Sequence, residues 1–191
     1  MTPTPGTHDL LTERLHLTPY TDEHLSGLNA VNADPEVMRY LSGRPETLAE
    51  TQAMIGRVKT RWATFGYSWW TIIEQQSGDI IGAGCIQHLR RGGTDPDPGC
   101  PLEIGWRLRR DQWSKGFASE AARAMAAFAF DRLRTDVLYA VCDPENRASE
   151  AVMMRLGMRR LGLESWYDRQ VTTYALTAQA WHDLSRGGRP G

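Results

Sequence analysis

Across Arg14–Pro19, Leu15 and Leu17 alternate with His16 and Thr18, the two-residue period of a strand with one buried face. From Asp22 to Asn32 the apolar residues Leu25, Leu28 and Val31 come at three-residue steps, which predicts a helix. Asp34-Pro35 resets the chain, and Asp34 is placed to cap a short turn carrying Val37, Met38 and Leu41. A longer helix starts near Thr47, carries Met54, Ile55, Val58, Trp62 and Phe65 on one face, and ends at Gly66. Trp69–Glu74 and Ile80–Gln87 flank Gln76-Ser77-Gly78-Asp79 and read as a hairpin. A loop rich in Gly, Pro and Asp follows over Leu89–Gly99.

Leu102–Leu108 alternates again. Leu102, Ile104, Trp106 and Leu108 share one face, and Glu103, Gly105 and Arg107 the other. A long amphipathic helix then sets Phe117, Ala121, Ala124 and Phe128 against Glu120, Arg123, Asp131 and Arg134. Val137–Cys142 is a short apolar strand. Asn146 opens a helix holding Ala148, Val152 and Leu156, Gly157 closes it, and Met158–Leu161 and Val171–Leu176 read as final strands. The order β-αα-β-β-β-α-β-α-β-β predicts a mixed α/β sheet with helices packed on its faces.

Composition narrows the classes. The chain has 191 residues, 41% apolar and 24% charged, with a net charge of −1, which suits one globular domain and no dominant basic field for nucleic acid. Residues 10–184 are expected to form that domain, without internal linker or repeat, between flexible tails at 1–9 and 185–191. Cys85, Cys100 and Cys142 form no CxxC pair, and the five histidines are scattered, so neither a disulfide framework nor a metal site is expected. No apolar run approaches the roughly 20 residues of a membrane span, and the start lacks the basic and apolar regions of a signal peptide, so a soluble cytoplasmic protein is expected.

Candidate chemistry begins where the Leu102–Leu108 strand runs through Arg109–Lys115 into Gly116-Phe117-Ala118. The first amides of a helix have no partners inside it and sit at the positive end of its dipole, so such a turn can hold an anion. Gly116 allows close approach to the backbone, and Arg107, Arg109, Arg110 and Lys115 concentrate positive charge nearby. The plain alternative is a helix start that happens to carry a glycine and solvated basic residues.

The wording of the stretch adds to this. Glu103-Ile104-Gly105-Trp106, followed by Trp113-Ser114-Lys115-Gly116-Phe117-Ala118-Ser119-Glu120-Ala121, resembles the acetyl-CoA motif of the GNAT acetyltransferase superfamily. It is most similar to the branch of ribosomal-protein N-terminal acetyltransferases of RimJ/RimL type. Asp143-Pro144-Glu145-Asn146-Arg147-Ala148-Ser149, with Arg155-Leu156-Gly157-Met158, resembles that branch's second motif, and the likeness runs from Thr12 to Leu176. Trp113 stands where the superfamily usually has Arg or Gln, a mark of the branch that puts a side-chain contact there in question.

The resemblance implies the GNAT fold: a mixed, mostly antiparallel sheet of about seven strands with helices on both faces, splayed between the fourth strand (Leu102–Leu108) and the fifth (Val137–Cys142). It implies acetyl-CoA as co-substrate, with the pyrophosphate on the amides of about Trp113 to Ala118, including Ser114, Lys115, Gly116 and Phe117. The pantetheine would pair with the strand carrying Ile104, Trp106 and Leu108, with Arg109, Asn146 and Ser149 also at the cofactor. The implied activity is direct transfer of acetyl to a primary amine, without metal or covalent enzyme intermediate. Alternatives are a catalytically silent acyl-CoA-binding protein, a different acyl donor, and a nucleotide- or phosphate-binding regulator using the same turn.

The reaction must take a proton from the amine and stabilise the departing thiolate. By resemblance Ser149 serves the thiolate, and Asn146 either caps its helix or serves the cofactor. For the base there are two candidates, Glu103 on the cofactor strand and Asp168 in the loop between the last strands; a solvated surface carboxylate is the plain reading of each. Most of the tryptophans read as core. Trp69 and Trp70 must face opposite ways in a strand, so one of them, with Tyr67 and Trp166, is expected at the acceptor. The acceptor itself, a small-molecule or protein N-terminal amine, is left open, as is a homodimer through sheet edges.

Overall fold

The computed structural model describes residues 6–93 and 95–187, so the outermost residues of both expected tails lie outside the described residues. One eight-stranded sheet runs through the chain in the order β1-β2-β3-β4-β5-β6-β8-β7. Its strands are β1 Leu10–Leu11, β2 Leu15–Pro19, β3 Trp69–Glu74, β4 Ile80–His88, β5 Leu102–Leu108, β6 Val137–Cys142, β7 Arg159–Trp166 and β8 Arg169–Thr177. The helices are α1 Leu25–Asn32, α2 Pro35–Met38, α3 Leu48–Phe65, α4 Phe117–Ala127, α5 Arg147–Arg155 and α6 Ala178–Arg186. Contacts divide the chain into two compact units, one drawn from the chain up to Cys85 plus Trp106–Ala124, the other from Ile86–Gly105 plus Met125 onward.

In the first unit β2 and β3 pair antiparallel from Leu15↔Glu74 to Pro19↔Trp70, and the alternation of β2 puts Leu15 and Leu17 fully inside. Tyr20, Leu28, Ile55, Val58 and Ala83 form a core cluster. Thr47 caps α3 in a reciprocal box with Glu50, and Gly66 ends it, as the spacing predicts. Gly82 is required by contact: a Cβ there would lie 2.3 Å from the Arg107 carbonyl oxygen. Residues 6–9, assigned to a tail on composition, are tied in. The Gly6 N–H donates to Asp9 (2.9 Å), Asp9 pairs with His16 (2.7 Å), and the His8 carbonyl accepts from the Trp70 indole (2.9 Å).

In the second unit β6 and β7 both pair antiparallel with β8, and Leu89, Trp166 and Val171 form a core cluster. Glu103 of β5 pairs with Tyr139 of β6 in the parallel sense, at a single registered position. Antiparallel pairing runs for five positions in β2·β3 and six in β6·β8, against one at the junction expected to splay. The last strands are longer than their apolar pattern predicts, because Gly162 sits at a register shift that breaks the alternation of β7. A helical extension, α6, follows where no element is predicted; Thr177 caps it by accepting from the Ala180 N–H, and Trp181 stacks on Phe130.

Candidate active site

The turn between β5 and α4 lies wholly in the first unit. A 3₁₀ turn, Arg110–Gln112, leads to Ser114 and Gly116, both with positive φ (61° and 84°), and α4 starts at Phe117. Folding the chain back this way leaves the amides of Ser114 to Ala118 before the first intrahelical bonds, where a helix presents unpaired N–H groups. A Cβ on Gly116 would meet only the Arg14 guanidinium, at 3.3 Å, so the floor of the turn is open.

Glu120, one turn into α4, fastens this corner. Its carboxylate accepts from the Thr12 hydroxyl (2.6 Å), the Arg14 N–H (2.8 Å) and the Arg14 Nε (2.7 Å). Arg14 then reaches the Lys115 carbonyl (3.0 Å) and lies over the Phe117 ring. These donors hold the Glu120 carboxyl below its ordinary range against a desolvation that pushes the other way.

Two sequence expectations change here. Trp113 spends both donors internally, its N–H on Arg110 O (3.2 Å) and its indole on Leu108 O (2.9 Å), leaving only its 44%-exposed ring to offer a ligand. Arg109 is engaged by Asp111 (2.7 Å) and Asp79 (3.3 Å), so its charge is already balanced. Lys115 has no acid partner among the described residues: its Nζ donates to the side-chain oxygen of buried Gln112, at 3.1 Å. Phe117 and Leu108 are buried, as is Ile104, so these can serve a ligand through their backbone; Trp106 and Ala118 are half-buried.

The second unit holds the one carboxyl among the described residues whose pKa is clearly raised. Glu103 is 6% exposed, and burial pushes its pKa up to about 7, against the opposing pull of its hydrogen bonds and of Arg90. Gln87 Nε2 donates to its Oε1 (2.8 Å), and the Tyr167 hydroxyl donates to the same oxygen. The solvated reading of Glu103 is therefore wrong: β4 and the β7–β8 turn close over it.

Tyr167 and Asp168 form the two-residue turn between β7 and β8, both left-handed (φ 58° and 57°). Such a pair without glycine costs roughly 1–2 kcal/mol per residue. The tip is offset by its ties: the Tyr167 and Asp168 N–H groups donate to Arg90 O and Arg91 O, each at 3.0 Å, and Arg90 stacks on the Tyr167 ring at 4.4 Å. A carboxyl titrating near neutrality, with two neutral donors to steady its anion, can take up a proton at physiological pH.

Gln87, Arg90 and Tyr167 were not singled out from sequence, and nothing in their local pattern marks them. Asp168, the other candidate base, is exposed at the turn. Asn146 caps α5, its Oδ1 accepting from the Ser149 N–H at 3.1 Å, and half-buried Ser149 stands in that helix's first turn.

Among the aromatics, Trp70 is fully buried, edge-on to Trp62, with its indole satisfied by His8 O, which removes it from any acceptor surface. Trp166 is likewise core, 4% exposed, with its indole on Glu164 and Arg91 over its ring. Half-buried Trp69 is left, under the Arg107 guanidinium, and half-buried Tyr67 lies against Phe65. Among the described residues no group of three or more His, Cys, Asp or Glu side chains is placed to hold a metal, and no helix is long and apolar enough to cross a membrane.

Comparison with known proteins gives a family match. The model of the acetyltransferase (GNAT) domain matches residues 14–159. An uncharacterized N-acetyltransferase, p20 of Bacillus licheniformis, is 29% identical over 161 residues, 84% of this chain and 87% of that protein. The FsC-acetyl coenzyme A-N(2)-transacetylase of Aspergillus fumigatus is 27% identical over 190 residues, 90% of this chain and 77% of that protein. Among solved structures, RimL, the ribosomal L7/L12 alpha-N-protein acetyltransferase in complex with coenzyme A, superposes with a TM-score of 0.72. That match covers 90% of this chain and 99% of RimL, and at 17% identity it shows a shared fold.

Proposed function

The chain belongs to the GNAT acetyltransferase family, and from that premise we propose that it transfers acetyl from acetyl-CoA directly to a primary amine, with Glu103 taking the amine's proton. One observation carries the assignment of the base: the only carboxyl pushed up to about 7 among the described residues is Glu103, buried and held by Gln87 and Tyr167. A primary amine is mostly protonated at neutral pH, so a base that is itself half ionised there is matched to the task.

The donor reading rests on the turn. Its open floor at Gly116, its helix-start amides from Ser114 to Ala118 and Lys115, which has no acid partner among the described residues, fit a pyrophosphate. Backbone of β5 at Ile104, Trp106 and Leu108 would take the pantetheine as an added strand, and the single-position pairing of β5 with β6 supports room for it. Bound acetyl-CoA supplies the activated acetyl group. In this reading a C–N bond forms at the acceptor nitrogen, the C–S bond breaks, the amine's proton goes to Glu103, and the Ser149 hydroxyl donates a hydrogen bond to the departing sulfur. Asn146 holds Ser149 by capping its helix. Residues 10–184 act as the acetyltransferase domain.

The test is release of free thiol from acetyl-CoA with a panel of small amines and peptide amino termini, for the wild type and for Glu103→Gln and Ser149→Ala. Amine-dependent release, lost by about 10²–10⁴-fold in Glu103→Gln, is expected. Binding of CoA without amine-dependent release across the panel sinks the proposal.

A further inference from the structure

Arg107 has no acid. It lies in β5, half-buried, its guanidinium 4.5 Å from the centre of the Trp69 ring. Among the described residues its one hydrogen bond is long, 3.4 Å from Nη2 to the Tyr20 hydroxyl. Its Nε is buried and has no partner among the described residues. Tyr20 cannot act as counter-ion: it is 3% exposed, and burial raises its phenol to about 12, so it is neutral across the physiological range. No ion pair to Arg107 exists among the described residues, whereas Arg14, Arg44, Arg109 and Arg147 each have one at 2.6–2.8 Å. Arg107, Tyr20 and Trp69 all lie in the first unit.

A guanidinium held in this way does not help the fold. A buried donor left unmade is destabilising, and a charge drawn off water without a partner more so. The stacking on Trp69 fixes the plane of the fork without using its N–H edge. What such an edge matches is a carboxylate, which takes two parallel N–H bonds from one arginine.

We propose that Arg107, held between the Trp69 ring and the Tyr20 hydroxyl, recognises a carboxylate on the acceptor, so that the substrates are amines that also carry a carboxylate. The inference rests on the acetyl-transfer reading and narrows its substrate class. It gives Trp69 a role as the plate that orients the guanidinium, and it leaves amines without an acid group as poor substrates.

The experiment compares matched acceptors that differ only in the acid: phenylalanine with phenethylamine, leucine with isopentylamine, and a tripeptide starting with Asp with one starting with Asn. In the wild type the acid member of at least one pair is expected to lead by about tenfold or more in kcat/KM, mostly through KM. Arg107→Met is expected to bring that ratio close to one, and Arg107→Lys to retain part of it, because the charge stays and the fork is lost. Equal use of both members in every pair by the wild type overturns the proposal, as does a ratio unchanged in Arg107→Met. Should Arg107→Met not fold, the wild-type ratios and Arg107→Lys decide. Should no amine be acetylated, the reaction reading fails separately, and titration with 3-phenylpropionate decides for Arg107. Binding weakened in the Lys or Met variant supports the carboxylate site, and no binding to the wild type overturns it.

Discussion

Replacing Glu103 by Gln changes one atom and removes one titration. The amide oxygen can still accept from Gln87 and Tyr167, so shape and hydrogen bonds are kept. In the wild type the native state holds its proton more tightly than the unfolded chain, because the carboxyl is raised from 4.5 to about 7 by burial. Between those values the native state is protonated and the unfolded state is not. Stability therefore falls as pH rises through that window, and the full penalty, about 3 kcal/mol, is present above pH 7.

Urea unfolding of wild type and Glu103→Gln at pH 5, 6, 7 and 8 isolates this term, since other titrations cancel in the difference. The variant is expected to gain on the wild type by about 2–3 kcal/mol from pH 5 to pH 8. In the same range the wild-type kcat/KM rises to a bend near pH 7, and the variant loses the bend along with the activity. A stability difference that does not move with pH refutes the burial argument. A bend that survives in Glu103→Gln refutes its role as base.

Tyr167→Phe removes a hydrogen bond that favours the ionised carboxyl, so the bend in the kcat/KM profile is expected at higher pH than in the wild type; a bend moved downward contradicts the assignment. Gly116→Val places a branched residue at φ 84°, at a strain of roughly 1–2 kcal/mol, and fills the open floor of the turn. CoA should then raise the melting temperature of the variant far less than that of the wild type, by thermal shift. Glu120→Gln unfastens Arg14 and Thr12 and should cost about 1–2 kcal/mol at pH 7. Because the Glu120 carboxyl is held low, that stabilisation is present above its unfolded value of 4.5 and is lost as pH falls, so the two melting temperatures should converge in acid.

Where a structural cause lies within a few residues, the sequence displays it. Thr47 and Glu50 are three apart and cap α3; Asn146 and Ser149 are three apart and cap α5. The alternation of Leu15–Pro19 and Leu102–Leu108 marked β2 and β5, and the glycine before Phe117 marked the turn. Thr177, Ala178, Trp181 and Leu184 carry the same kind of signal for α6. Gly162 hid the length of β7, because one extra residue at a register shift inverts the period on which a strand is recognised.

Glu103 illustrates the other case. Alternation sets Glu103 on the polar face of β5 with Gly105 and Arg107, and a polar face reads as solvent. Whether water reaches it depends on residues far along the chain: Gln87 is 16 positions before it and Tyr167 is 64 after. The strained turn that aims Tyr167 has no glycine or asparagine to announce it, since Tyr167 and Asp168 both adopt left-handed backbone that such sequences seldom take. The same reasoning holds for Trp69 and Trp70. Alternation says that one faces inward, and the burial of Trp70 against Trp62, with its indole on the His8 carbonyl, shows which. A polar residue on a strand is thus an open question in sequence, answered by what covers it, and on β5 the two answers differ. Glu103 is covered by donors and its pKa is pushed up to about 7, while Arg107 lies against the Trp69 ring with its Nε unpartnered among the described residues.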